Sequence, residues 1–213
     1  YFEIGKIMVE IVLKEVEMPG TVKWYYENGK SHRIRNYIKG KLNGSSKEYY
    51  DDGKIMIEYI YKNDKLEGIG KEYYKNGKLS VSYNYKNDKL EGACKEYYES
   101  GKIKRDMKFK NDKPDGKNLA YYESGELQEE IDYIKGIGKG KKFYKNGKLL
   151  AQTNYNRLNL NGEYKEYYEN GKTRFLLNYR NNELDGNSKE YYENGNIKTE
   201  WNYKNGILNG KYR

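Results

Sequence analysis

The sequence predicts an all-β fold: an elongated antiparallel β-meander of repeated hairpins, about 24 residues per repeat, in a single twisted or curled sheet. Three observations predict it. Glycine recurs at Gly5, Gly29, Gly53, Gly77, Gly101, Gly125, Gly147, Gly171 and Gly195, in steps of 24 residues except the 22 from Gly125 to Gly147. A second series keeps the same interval, at Gly20, Gly44, Gly68, Gly92, Gly116, Gly138, Gly162, Gly186 and Gly210. Between them, apolar and polar residues alternate with period two, the mark of a half-buried strand. A period of this length means stacked supersecondary units.

The elements follow in order along one copy, residues 71–94, "KEYYKNGKLSVSYNYKNDKLEGAC". Asn76-Gly77 is a strong hairpin signal, because a type I′ turn needs positive φ at both central residues. The expected loop has two residues, pairing Lys75 with Lys78 and Tyr74 with Leu79. The second tyrosine then shares the apolar face, and Tyr73 points to the other face beside Lys71. A bulged turn would shift this register by one. Leu79, Val81, Tyr83 and Tyr85 alternate with Ser80, Ser82 and Asn84 as the next strand. "KNDKLEG" forms a longer turn, and the following "KEYY" strand begins after Gly92.

Other copies repeat this face: Ile55, Ile57, Tyr59 and Tyr61; Ile103, Met107 and Phe109; Phe175, Leu177 and Tyr179; Ile197, Trp201 and Tyr203. Ile7, Val9, Ile11 and Leu13 keep the same offsets from Gly5, so residues 1–20 read as a degenerate first repeat, making about nine in one array over 1–213. The copy from Gly29 is the weakest, with Ser31, Arg33 and Arg35 at apolar places. Leu42, Leu66, Leu90, Leu160, Leu184 and Leu208 each precede a second-series glycine by two residues and are expected to plug the turn of their own repeat. The turn at 133–140 loses two residues and is expected to kink the array. Strands at about 4.8 Å each stack to roughly 85 Å, and an apolar face of that length must curl or meet a partner.

Composition supports an ordered, polar-looking chain. Net charge is +9, and 27 tyrosines supply apolar ring faces with polar tips. The one cysteine, Cys94, excludes an internal disulfide framework. No stretch approaches the apolar length of a membrane span. The chain opens at Tyr1 without Met, which leaves a trimmed chain or a removed leader open; we expect an exported or surface-associated protein.

The motifs "YYxNGK" and "YKNxKLxG", repeated across essentially the whole chain, resemble the bacterial variant of MORN repeats, also found in proteins labelled as antitoxins. The resemblance implies a meander of hairpins that serves as an interaction or spacer element, with no catalytic residue. The eukaryotic MORN pattern is richer in Gly and Trp than this one.

No constellation for chemistry emerges, and no enzyme, metal site or cofactor is expected. One histidine, His32, cannot build a histidine-based metal site, and it lies about three repeats from Cys94. "GIGKGKK" lacks the spacing of a phosphate loop, and the shortened turn accounts for its glycines. The glycines Gly29, Gly53, Gly77, Gly101, Gly125, Gly147, Gly171 and Gly195 are expected to be structural turn residues.

Binding is the expected role. A rigid, tyrosine-studded sheet suits protein–protein interaction, and the first-tyrosine column, Tyr25, Tyr49, Tyr73, Tyr97, Tyr121, Tyr167 and Tyr191, is the candidate surface. The same column can instead simply brace the sheet by cross-strand contact. The alternatives are a cell-wall or glycan module, an anionic-membrane binder, and an antitoxin-like partner of a toxin. Wall-binding aromatic repeats are Trp-rich, whereas only Trp24 and Trp201 occur here. Nucleic acid is disfavoured, because each "KEYY" sets a Glu beside its Lys and spreads the charge.

Overall fold

The structure, a computed structural model, describes residues 9–12 and 20–210. Every described element is a β-strand, and every described pairing is antiparallel, between strands that follow one another or are separated by a single two-residue strand. The chain divides into two compact units, Tyr1–Ile103 and Lys104–Arg213. Each unit repeats one motif: a six-residue strand such as Gly68–Tyr73, a long strand such as Leu79–Lys86, and a two-residue strand such as Lys89–Leu90. Of the expected degenerate first repeat, Val9–Val12 pairs with Thr21–Trp24, and its other residues before Gly20 lie outside the described residues.

The two turns of each repeat exchange the expected roles. At Asn76-Gly77 only the glycine has positive φ, 86°. The Gly77 amide donates to the Tyr74 carbonyl at 2.8 Å, and the Tyr74 amide donates to the Lys78 carbonyl at 2.8 Å. The loop is therefore Lys75-Asn76-Gly77, a type I turn closed by a glycine bulge, and not a two-residue type I′ turn. Tyr73, not Tyr74, opposes Leu79. The type I′ geometry sits at the other end, where Asn87 and Asp88 have φ of 50° and 67°. Asn and Asp are the non-glycine residues that best tolerate this region, because their short side chains hydrogen-bond locally.

A bulge also re-sorts the faces. Glu72 opposes Val81 but Tyr73 opposes Leu79, so Ser80 is extra on the long strand. Opposed residues share a face. Val81, Tyr83 and Tyr85 therefore lie on one face with Glu72 and Gly70, which we call the core face. Leu79 is turned to the opposite, lysine face with Lys71 and Tyr73. Ile55, Leu127 and Ile197 follow Leu79, opposing Tyr49, Tyr121 and Tyr191. The expectation that Ile55 and Ile197 belong with the core aromatics is corrected by this one-residue slip.

The core face is aromatic but not greasy. Ring pairs run along it: Tyr59–Tyr85 at 6.1 Å, Tyr83–Tyr85 at 5.7 Å, Tyr133–Tyr155 at 6.3 Å and Tyr164–Tyr179 at 5.8 Å. Their hydroxyls reach carboxylates: Tyr59 donates to Glu72 and Tyr155 to Glu129, both at 2.6 Å, and Tyr164 to Glu166 at 2.9 Å. Small residues fill the space between rings, among them buried Ser46, Cys94 and Ser188. At Gly70 a Cβ would stand 2.4 Å from Tyr59 Cδ1, so the ring lies directly on the backbone. In the copy after Gly29, Arg33 and Arg35 hold core-face places by pairing with Glu48, at 2.7 and 3.9 Å, and by standing about 6 Å over Trp24.

Each leucine of the plug series opposes a tyrosine of its own repeat, as Leu66 does Tyr61 and Leu90 does Tyr85. Its backbone is held from the next repeat. The Asp88 amide donates to the Leu66 carbonyl at 3.0 Å, and the Leu66 amide donates to Asp88 Oδ1 at 2.7 Å. Asp64 clamps Leu42, and Asn182 clamps Leu160, in the same way.

At the shortened turn the ladder is regular, contrary to the expected kink. Lys135-Gly136 makes a two-residue turn, and Ile134–Ile137 through Glu129–Lys142 pair without interruption. The missing two residues are the ones that interrupt the ladder elsewhere, between the Tyr61–Leu66 and Glu58–Lys71 pairs of a regular copy. Turn geometry explains Gly136 alone. At Gly138 a Cβ would meet Tyr133 Cε1 at 2.5 Å, and at Gly140 it would meet Thr153 Oγ1 at 2.6 Å, so these two glycines serve close packing.

The clamp predicts a graded response at one position. Asp88→Asn leaves stability nearly unchanged, since Asn182 already makes the same bond. Asp88→Ala loses it and costs about 1–2 kcal/mol, read as a lower urea midpoint at constant slope.

Candidate functional site

The first-tyrosine column lies on the lysine face, each ring ending a short strand such as Gly68–Tyr73 or Gly162–Tyr167. All seven side chains, Tyr25, Tyr49, Tyr73, Tyr97, Tyr121, Tyr167 and Tyr191, are half-buried. Two residues earlier stands a lysine in most copies. Lys47 pairs with Glu58 at 3.0 Å and Lys189 with Glu200 at 2.6 Å, and those carboxylates hold both ammonium groups above their ordinary pKa. Lys165 stands 5.5 Å from the Tyr167 ring centre, and the Tyr167 hydroxyl donates to Gln152 Oε1 at 2.8 Å.

The backbone beneath the column is fixed by the second tyrosine of the preceding repeat. Tyr26 donates to the Tyr49 carbonyl at 2.5 Å, Tyr50 to Tyr73 at 2.7 Å and Tyr74 to Tyr97 at 2.6 Å. In the second unit Tyr144 donates to Tyr167 at 2.8 Å and Tyr168 to Tyr191 at 2.7 Å. Lysine side chains add a parallel set in the first unit: Lys30 reaches the Asp52 carbonyl at 2.9 Å, Lys54 that of Lys75 at 3.1 Å and Lys78 that of Ser100 at 3.0 Å. The column thus stands on carbonyls pinned from one side.

The sequence reading left out one member. Phe143 opposes Leu149, and its carbonyl accepts from the Tyr122 hydroxyl at 2.8 Å, so it fills the column in the shortened copy. The signal was present in "KKFYKNGK", where Phe replaces the first Tyr. The glycines Gly29, Gly53, Gly77, Gly101, Gly125, Gly147, Gly171 and Gly195 sit away from the column at the hairpin tips, with φ between 80° and 111°. Each donates its amide to the second tyrosine's carbonyl, as Gly171 does to Tyr168 at 2.9 Å.

In the second unit the column forms shallow depressions. One is lined by Lys165, Tyr167, Thr173, Leu176, Tyr191 and Asn194, among others; another holds Leu149, Tyr167 and Asn170. Both combine ring faces, short aliphatic side chains and polar rims. His32 packs on Tyr26 with ring centres 4.5 Å apart, and Cys94 is buried. Among the described residues no group of three His, Cys, Asp or Glu is placed to hold a metal ion.

Several core-face tyrosines have raised pKa values. Burial, reinforced by Glu72, pushes the Tyr83 hydroxyl up to about 12, and burial beside Glu129 does the same for Tyr133. Tyr59, Tyr155 and Tyr164 move in the same direction, by burial first and then by the carboxylates they bond. A phenol whose folded pKa is raised stabilises the fold fully below its unfolded value near 10, and that contribution is lost as pH rises toward the folded value. Stability should therefore hold from neutral pH to about 10 and fall between about 10 and 12. Urea midpoints across that range, together with tyrosinate absorbance, check this. A flat profile to pH 12 would contradict it.

The family model described as "MORN repeat variant" matches residues 18–39, 42–63, 66–87, 90–111, 114–135, 137–157, 160–181 and 184–205. No curated protein matches the chain. The eight matches fall on the hairpins, shift by two residues at the shortened turn, and cover well over half of the sequence, so the chain belongs to the MORN repeat variant family and is a repeat scaffold.

Proposed function

We propose that this scaffold is non-catalytic and binds another protein through the lysine face. One observation carries the reading: the Tyr167 and Tyr191 rings, with Leu176 and Thr173 between them and Lys165 at the edge, line an open depression on a backbone braced from below. Such rings offer contact area at low conformational cost, and a fixed backbone removes much of the ordering penalty of association. The core face is a poorer candidate, because its hydroxyls and carboxylates already satisfy one another. The proposed setting is at or outside the bacterial cell surface, and fractionation of the tagged chain tests it.

Pull-down with mass spectrometry, comparing the native chain with the Tyr167→Thr/Tyr191→Thr and Lys165→Glu variants, tests the binding surface. A specific protein should be captured by the native chain and lost from both variants while each remains folded by circular dichroism. Variants that lose stability but keep the partner would reduce the column to cross-strand support. Salt-sensitive vesicle binding without a protein partner would favour the membrane alternative, and wall retention released by sugar the glycan alternative. Capture of a toxin neutralised by the chain would favour the antitoxin-like role.

A further inference from the structure

Among the described turns of the second unit, one is paired by two aliphatic side chains. Lysines oppose each other across the turn at Lys62–Lys65 and Lys86–Lys89 in the first unit and at Lys110–Lys113 in the second, while other turns of the second unit pair Asn156 with Asn159, Arg180 with Glu183 and Lys204 with Ile207. In the shortened copy the same places hold Ile134 and Ile137, paired across Lys135-Gly136. They are 75% and 58% exposed, and Leu158, on the next turn, is 60% exposed. The two turns adjoin, because the Arg157 amide donates to the Gly136 carbonyl at 2.5 Å. Leu158 stands eleven residues after Gly147, as Asp88 stands after Gly77 and Asn182 after Gly171. The clamping side chain of those copies has been replaced by an exposed aliphatic one.

Cations border this patch. A Cβ at Gly136 would stand 3.8 Å from Arg157 Cγ and 3.8 Å from Lys113 Cβ, which places both side chains against the turn that carries Lys135. The nearby Asp115 carboxylate accepts the Lys135 backbone amide at 3.3 Å. The side chains of Lys113, Lys135 and Arg157 form no ion pair among the described residues, unlike Arg180 on the following turn, which pairs with Asp185 at 3.2 Å.

We propose that this edge docks an acidic, aliphatic segment of a partner protein, whose apolar side chains cover Ile134, Ile137 and Leu158 and whose carboxylates meet Lys113, Lys135 and Arg157. Charge selects the occupant. A second copy of this chain, docked by the same patch, would set cations against cations, and like charges across an interface suppress association. An acidic segment reverses that sign and desolvates the three aliphatic side chains together. The surface lies at the turn edge, apart from the tyrosine column, so it stands or falls independently of that reading.

The test uses the full chain and fluorescence anisotropy with a soluble synthetic peptide of alternating Leu and Glu. Controls are a Leu/Lys peptide and a Ser/Glu peptide of equal length. The Leu/Glu peptide should bind, more weakly at high salt, and neither control should match it. The Ile134→Lys/Ile137→Lys variant should lose about tenfold or more in affinity. That variant installs the lysine pair found at Lys62–Lys65, Lys86–Lys89 and Lys110–Lys113, so it should fold normally, as circular dichroism would verify. No binding of the Leu/Glu peptide, unchanged affinity in the variant, or equal binding of the Leu/Lys peptide would overturn the proposal. So would a dimer of the native chain, by sedimentation, that the variant abolishes, or binding to phosphatidylglycerol vesicles that it abolishes without any peptide binding.

Discussion

Within each unit, one repeat is held to the next by hydrogen bonds from side chains to backbone. At the hairpin tips the hydroxyl of a second tyrosine reaches the carbonyl of the next repeat's first tyrosine, as Tyr50 does to Tyr73. At the opposite edge of several copies an Asp or Asn holds the amide and the carbonyl of the previous repeat's leucine, as Asp64 holds Leu42, Asp88 holds Leu66 and Asn182 holds Leu160. Strand pairing alone weakly specifies register where both faces carry polar residues. These two contacts fix it from both ends. The tyrosine column, the core aromatics and the apolar turn edge all take their positions from that register.

The same bonds account for the composition. A repeat array with few large aliphatics must draw its cohesion from elsewhere, and here rings pack on small residues while hydroxyls bond carboxylates. Gly70, Gly138 and Gly140 show how close the fit is, since a methyl group at any of them would overlap a neighbouring side chain. Glutamates in the "KEYY" motif look solvated in the sequence, yet Glu72 and Glu166 are working parts of the core face. Pairing by a phenol explains why a carboxylate can sit there at modest cost.

Much of this was legible in the sequence, and the failures are local. The glycine intervals and period-two alternation placed the hairpins, and the first tyrosine was rightly put beside Lys71 on the face away from Tyr83. The turn type was not legible, because Asn-Gly suits both a two-residue loop and a three-residue loop with a glycine bulge. That choice moved Leu79 from one face to the other. The shortened turn misled in a similar way: a deletion read as a defect in fact removes an irregularity present in other copies. The membership of Phe143 in the column was visible but hidden by its different side chain. What a side chain touches one repeat away, such as Asp88 on Leu66, has no local signature at all.

The tyrosine staples all point one way. Each repeat lends a hydroxyl to its successor and receives one from its predecessor, so within a unit the stack has a head and a tail. A whole repeat copied in tandem inherits both a donor and an acceptor, and it joins the ladder without any new residue being needed. The 22-residue copy joins on the same terms, since Tyr122 finds the Phe143 carbonyl across the shorter interval. Length in such a chain is therefore an easily varied quantity, adjusted by duplication, while direction is conserved by chemistry.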